Sequence, residues 1–103
     1  MSLQRRIELD RILRGILGTP YVYFQPPTGT RMQYPCMVYN LANANDVHAD
    51  DKIYRRLYRY TVTYITKDPD DPKRDEIDDL RYCSFDRFFT SDNLNHFVYT
   101  IYN

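Results

Sequence analysis

The residues able to do chemistry in this 103-residue chain are few and loosely spaced. The densest group is acidic: Asp68, Asp70, Asp71, Asp75, Glu76, Asp78 and Asp79. A calcium loop needs oxygen ligands at fixed intervals, a glycine at its sharp turn and a closing bidentate glutamate. This run has no glycine and is broken by Pro69 and Pro72. It reads instead as a turn followed by a solvated helix N-terminus, where carboxylates complement the helix dipole. His48, Asp50 and Asp51 offer acid–base groups within one turn, but no nucleophile or second histidine is placed beside them. Cys36, Cys83, His48 and His96 lack the paired spacing of a zinc site. Cys83 and His96 make a nucleophile–base pair on paper, should adjacent strands bring them close. A buried thiol and a loop-proximal histidine account for the same residues. There is no glycine-rich phosphate loop and no GxSxG. The chain is expected to be no enzyme and to hold no metal or cofactor.

Binding has more to stand on. Eleven tyrosines and five phenylalanines, with no tryptophan, suit half-buried sheet faces and protein interfaces, because a tyrosine ring packs while its hydroxyl stays wet. Fourteen basic residues balance fourteen acidic ones, which argues against bulk nucleic-acid or membrane-surface binding and tolerates self-association. The charges are nonetheless unevenly placed. Lys52, Arg55, Arg56 and Arg59 form a basic stretch, and residues 68–79 an acidic one. If the two face different sides, a neighbouring copy can pair basic face to acidic face, a head-to-tail contact that closes into a ring. If they meet within one subunit, they only neutralise each other. Arg55, Arg56, Asp70 and Asp71 are therefore candidate contact residues. The aromatics Phe85, Phe88, Phe89, Phe97, Tyr99 and Tyr102 are expected mostly in the core, with any surplus at an interface.

The elements that must position these groups follow from periodicity. Leu9, Ile12, Leu13, Ile16 and Leu17 mark one apolar stripe of a helix over 3–17, stopped by Gly18 and Pro20. Residues 21–25 read as a short strand ended by Pro26 and Pro27, and 36–41 as a strand buried on both faces. Asp50 and Asp51 form a hairpin turn between 47–49 and a long strand over 53–66, in which Tyr60, Val62 and Tyr64 alternate with Thr61, Thr63 and Ile65. A short helix over 72–81 takes Asp71 as its cap and Pro72 at its first position, with Ile77 and Leu80 facing inward. Strands over 83–90 and 96–102 close the chain around the 91–95 turn. Most connections are too short for parallel crossovers, which predicts an α+β domain over 1–103: a largely antiparallel sheet with both helices packed on one face. Two free cysteines imply a reducing compartment. With neither a signal peptide nor a membrane-spanning stretch in view, the protein is expected to be soluble and intracellular when made.

Several blocks carry a resemblance. They are Val22-Tyr23-Phe24-Gln25-Pro26-Pro27, Met32-Gln33-Tyr34-Pro35-Cys36, Ala49-Asp50-Asp51, Arg59-Tyr60-Thr61-Val62-Thr63, Asp68-Pro69-Asp70, Cys83-Ser84-Phe85-Asp86-Arg87 and Asp92-Asn93-Leu94-Asn95-His96. Together they resemble the small tail-completion proteins, tail terminators and head–tail joining proteins, of long-tailed phages and prophages of Gram-positive bacteria. The resemblance implies a structural subunit that forms a hexameric ring and meets tail-tube or head-connector proteins. It would be made in the bacterial cytoplasm and carried into the virion. It implies no catalytic residues, and marks the turns at Asp50 and Asp51 and at Asp92, Asn93 and His96 as candidate contacts; turn geometry alone also explains both. The alternative is a small module touching nucleic acid at the packaging connector, through Arg5, Arg6, Arg11 and Arg14 of the first helix.

Overall fold

The computed structural model describes the backbone of residues 2–43, 47–49, 52–55 and 58–103, and the side chains of 6–42 and 58–103. Its elements are α1 (Ser2–Leu17), β1 (Val22–Phe24), β2 (Cys36–Asn43), β3 (Val47–Ala49), β4 (Lys52–Arg55), β5 (Arg59–Thr66), α2 (Lys73–Asp78), β6 (Cys83–Ser91) and β7 (Leu94–Tyr102). Five strands form one sheet in the order β1-β2-β5-β7-β6, and β3 pairs with β4 in a separate two-stranded ribbon. All pairings but the parallel β1–β2 are antiparallel, so the α+β expectation holds.

α1 forms because leucines recur every four residues: Leu9, Leu13 and Leu17 are buried, and Ile16 packs beside them. Ile12, at the margin of the stripe, is 42% exposed instead of buried. Gly18 ends the helix in the left-handed region at φ 77°, its N–H donating to Arg14 O at 2.8 Å. The helix is tied down by its polar residues as well. Tyr39 Oη donates to Asp10 Oδ2 at 2.6 Å, Asp10 pairs with Arg14, and Arg14 donates onward to the carbonyls of Pro20 and Val22.

Alternation sorts the sheet into two faces. Tyr39 of β2, Val62 of β5 and Tyr99 of β7 lie in register, as do Met37, Tyr64 and Phe97. These six, with Tyr60 and Ile101, are buried against Leu9, Leu13, Leu17 and Ile77 of the two helices. On the opposite face Cys36, Ile65 and Val98 are buried, whereas Asn40 is exposed. Burial of β2 on both faces therefore stops before its last residues.

Three expectations need correction. The strand read over 53–66 is two strands in different sheets: β4 pairs with β3, and β5 begins only at Arg59, opposite Tyr102. The second helix ends at Asp78, three residues early, where the chain turns toward β6 through Tyr82 at φ 59°. The terminal aromatics are not mostly core. Phe97 and Tyr99 are buried, but Phe85, Phe88 and Phe89 stay 46%, 47% and 39% exposed because β6 is an edge strand.

Candidate functional site

The acidic segment is positioned by the end of β5. Tyr64 Oη donates to Asp71 Oδ2 at 2.5 Å and Thr66 Oγ1 donates to the same oxygen at 3.2 Å. The Lys73 N–H reaches Asp71 Oδ1 at 3.0 Å, but Pro72 and not Asp71 takes the N-cap position of α2, one residue later than expected, with no side-chain cap bond. Burial alone would raise the Asp71 pKa, but the hydrogen bonds from Tyr64, Lys73 and Thr66 outweigh it and hold the carboxyl below its ordinary range. Burial, and then donation to that carboxylate, push the Tyr64 phenol up. Asp71 is thus committed inside its own subunit. Asp70 is exposed, with its N–H on Asp68 Oδ1 at 3.0 Å.

The other candidates divide. Asp50, Asp51 and Arg56 lie outside the described residues, and Arg55 closes β4 opposite Val47 with its side chain outside them too. Pairing of Lys52, Arg55 and Arg56 with the acidic segment therefore lies outside the described side chains. Asp92 and Asn93, at φ 53° and 63°, form the two-residue turn between β6 and β7; this is the primed geometry that matches strand twist. His96 is half-buried on the face away from the helices, stacked on Phe89 with ring centroids 4.6 Å apart and its Nδ1 3.2 Å from Leu94 O.

Cys83 and His96 are not brought together. Cys83 registers with Ile101, five residues along β7 from His96, a separation of about 16 Å with the side chains on opposite faces. Burial raises the Cys36 thiol to about 12; burial and then Asp78 raise Cys83 to about 11. Neither is a ready thiolate. Among the described residues no group of three or more His, Cys, Asp or Glu side chains converges as a metal site, and no helix is long and apolar enough to cross a membrane. On α1, Arg6 lies 4.6 Å over the Phe24 ring and Arg14 is bonded to Asp10, so both are engaged within the subunit.

What the surface offers is apolar. A cleft of about 340 Å³ runs between α1, the segment after α2 and the end of β7, lined by Leu9, Ile12, Leu80, Tyr82 and Ile101 among others. Exposed Ile12 and Tyr82 stand at this cleft, and Phe85, Phe88 and Phe89 stand along β6. The β6 aromatics could not be placed from sequence, because an edge strand and a central strand share the same alternation. Aromatic side chains of this kind are enriched where proteins meet one another. Comparison of the chain with protein-family models, with curated proteins and with solved structures finds no match.

Proposed function

We propose that this protein is a structural virion subunit, a tail terminator or head–tail joining protein, that assembles into a ring of its own copies and meets tail-tube or head-connector proteins through that ring. The observation that carries this reading is the β3–β4 ribbon, whose strands pair with each other and, among the described residues, with no strand of the main sheet. A lone two-stranded ribbon is marginal in water, so it gains stability by lying on a neighbour. In this reading the ribbon lies on a different part of the next subunit. Such a contact is heterologous, and heterologous contacts with the right rotation close into rings. The tail-completion resemblance of the sequence supports the same assembly, and no catalytic step belongs to it.

The ribbon gives the reading its test. Replacing residues 47–55 with a short Gly-Ser turn is expected to leave the five-stranded sheet folded, since neither β3 nor β4 pairs with it. The variant should keep its cooperative unfolding by circular dichroism and lose ring assembly by light scattering. A ribbonless variant that still forms rings would sink the proposal.

A further inference from the structure

We infer that β6 is a self-complementary edge through which two copies of this chain join antiparallel about a twofold axis, placed between Asp86 and Arg87. The inference does not rest on the ring reading, which uses the ribbon. β6 is the long free edge of the sheet, nine residues against three for β1, and β1 is flanked by Pro20 and Pro26, which cannot donate to a ladder. All of β6 after Cys83 is exposed.

The second copy is specified by charge and by face. With the axis between Asp86 and Arg87, each Asp86 stands opposite the other copy's Arg87, Phe85 opposite Phe88, and Ser84 opposite Phe89. A twofold axis normal to the sheet keeps each residue on its own face, so paired residues must share a face. In a regular strand Phe85 and Phe88, three residues apart, would not. Here a one-residue bulge between Phe85 and Arg87 resets the alternation. Phe85 registers with Tyr99 and Phe88 with Phe97, both on the helix-covered face. Ser84 registers with Thr100, and Phe89 with His96, on the other face. The bulge is what makes the Phe-Asp-Arg-Phe run match its own inverse.

The rings are already braced for contact: Phe85 packs edge-on to Tyr99 at 5.5 Å and Phe88 on Phe97 at 4.9 Å. In the single subunit Asp86 and Arg87 pair with each other at 3.4 Å, both exposed, and the Arg87 guanidinium also lies 5.9 Å over the Phe89 ring. They exchange partners on association. A bulge and charges on an edge repel an unrelated strand, which would leave both charges unmatched. Against its own copy the same charges are matched, so one device excludes strangers and admits self. Three half-exposed phenylalanines per copy bring roughly 500 Å² of apolar surface to the contact, which places it among weak, concentration-dependent associations.

Charge exchange tests this. Asp86→Arg alone and Arg87→Asp alone each set like charges across the axis twice and should halve the mass of whatever the wild type forms, by sedimentation over a concentration series. Mixing the two variants in equal amounts restores both ion pairs and should restore the mass, as should the double exchange in one chain. Recovery on mixing also shows that both variants are folded. Single variants that associate like wild type, a mixture that stays at half mass, or a wild type with no twofold association at any concentration would each overturn the β6 contact. The ring reading fails separately: a β6 dimer without rings gives two subunits, rings without the β6 contact give about six, and both together give paired rings of about twelve.

Discussion

Leu13→Ala is expected to cost about 3 kcal/mol, within the 2–5 range of such deletions, and is the most damaging single truncation on α1. Leu13 is fully buried, at 0% exposure, between Leu9 and Leu17 in the stripe that joins the core cluster with Tyr39 and Tyr60. Those tyrosines cannot move in to fill the space. Tyr39 Oη is fixed on Asp10, and Tyr60 is held in the middle of the sheet opposite Leu41 and Ile101. The loss should appear as a lower urea midpoint with an unchanged slope. Ile12→Ala, one residue away but 42% exposed, should cost under about 1 kcal/mol. Equal losses at the two positions would mean that the stripe is not seated as described.

Asp71→Ala should cost about 2–3 kcal/mol, because it strands three donors at once: the Tyr64 and Thr66 hydroxyls and the Lys73 N–H. Tyr64 is fully buried and Thr66 nearly so, and water reaches neither hydroxyl easily. The cost should shrink in a Tyr64→Phe background, where one stranded donor is gone, and a double-mutant cycle measures that coupling. Asp71 also fixes a pH dependence. Its folded pKa is depressed, so its stabilisation is fully present above the ordinary carboxylate value of about 4 and is lost as pH falls through the lowered folded value. Asp71→Asn should therefore flatten the acid limb of a plot of melting temperature against pH while leaving the neutral limb parallel to wild type. An unchanged acid limb would place the linkage on other carboxylates.

Much of this architecture was legible in the sequence, because burial imposes periods that the residues repeat. The four-residue leucine spacing marked α1, and the alternation of Tyr60, Val62 and Tyr64 marked the core face of β5. What a period cannot carry is pairing. The run from Ile53 to Thr66 keeps strand character throughout, yet its first part pairs with β3 and its second enters the main sheet; strand propensity is blind to which partner is chosen. The parallel β1–β2 pair escaped for a related reason. The 25–35 segment is just long enough to bring the chain round in the same direction, and its length says only that this is allowed. Asp71 reads as the helix cap, a position that Pro72 takes, and not as the anchor of Tyr64 and Thr66, since that depends on where β5 ends in space.

The contact surfaces were legible least. Phe85, Phe88 and Phe89 have the composition of a core strand, and only the strand order shows that β6 is the last strand of its sheet among the described residues. The bulge between Phe85 and Arg87 leaves no mark in residue types, yet it decides which face each aromatic takes. Asp92 and Asn93 are the reverse case. Both tolerate positive φ, and a turn is expected around them, but over 91–95; the observed turn is only Asp92 and Asn93, with Ser91 already paired to Leu94.

The most direct test of the structural-subunit account is the mass of the purified wild-type chain by light scattering over a concentration series, with negative-stain images of the largest species. The account predicts closed rings with a mass near six subunits, or near twelve where β6 joins rings in pairs. A monomer at every concentration, unchanged when tail tubes or head connectors are added, would contradict it.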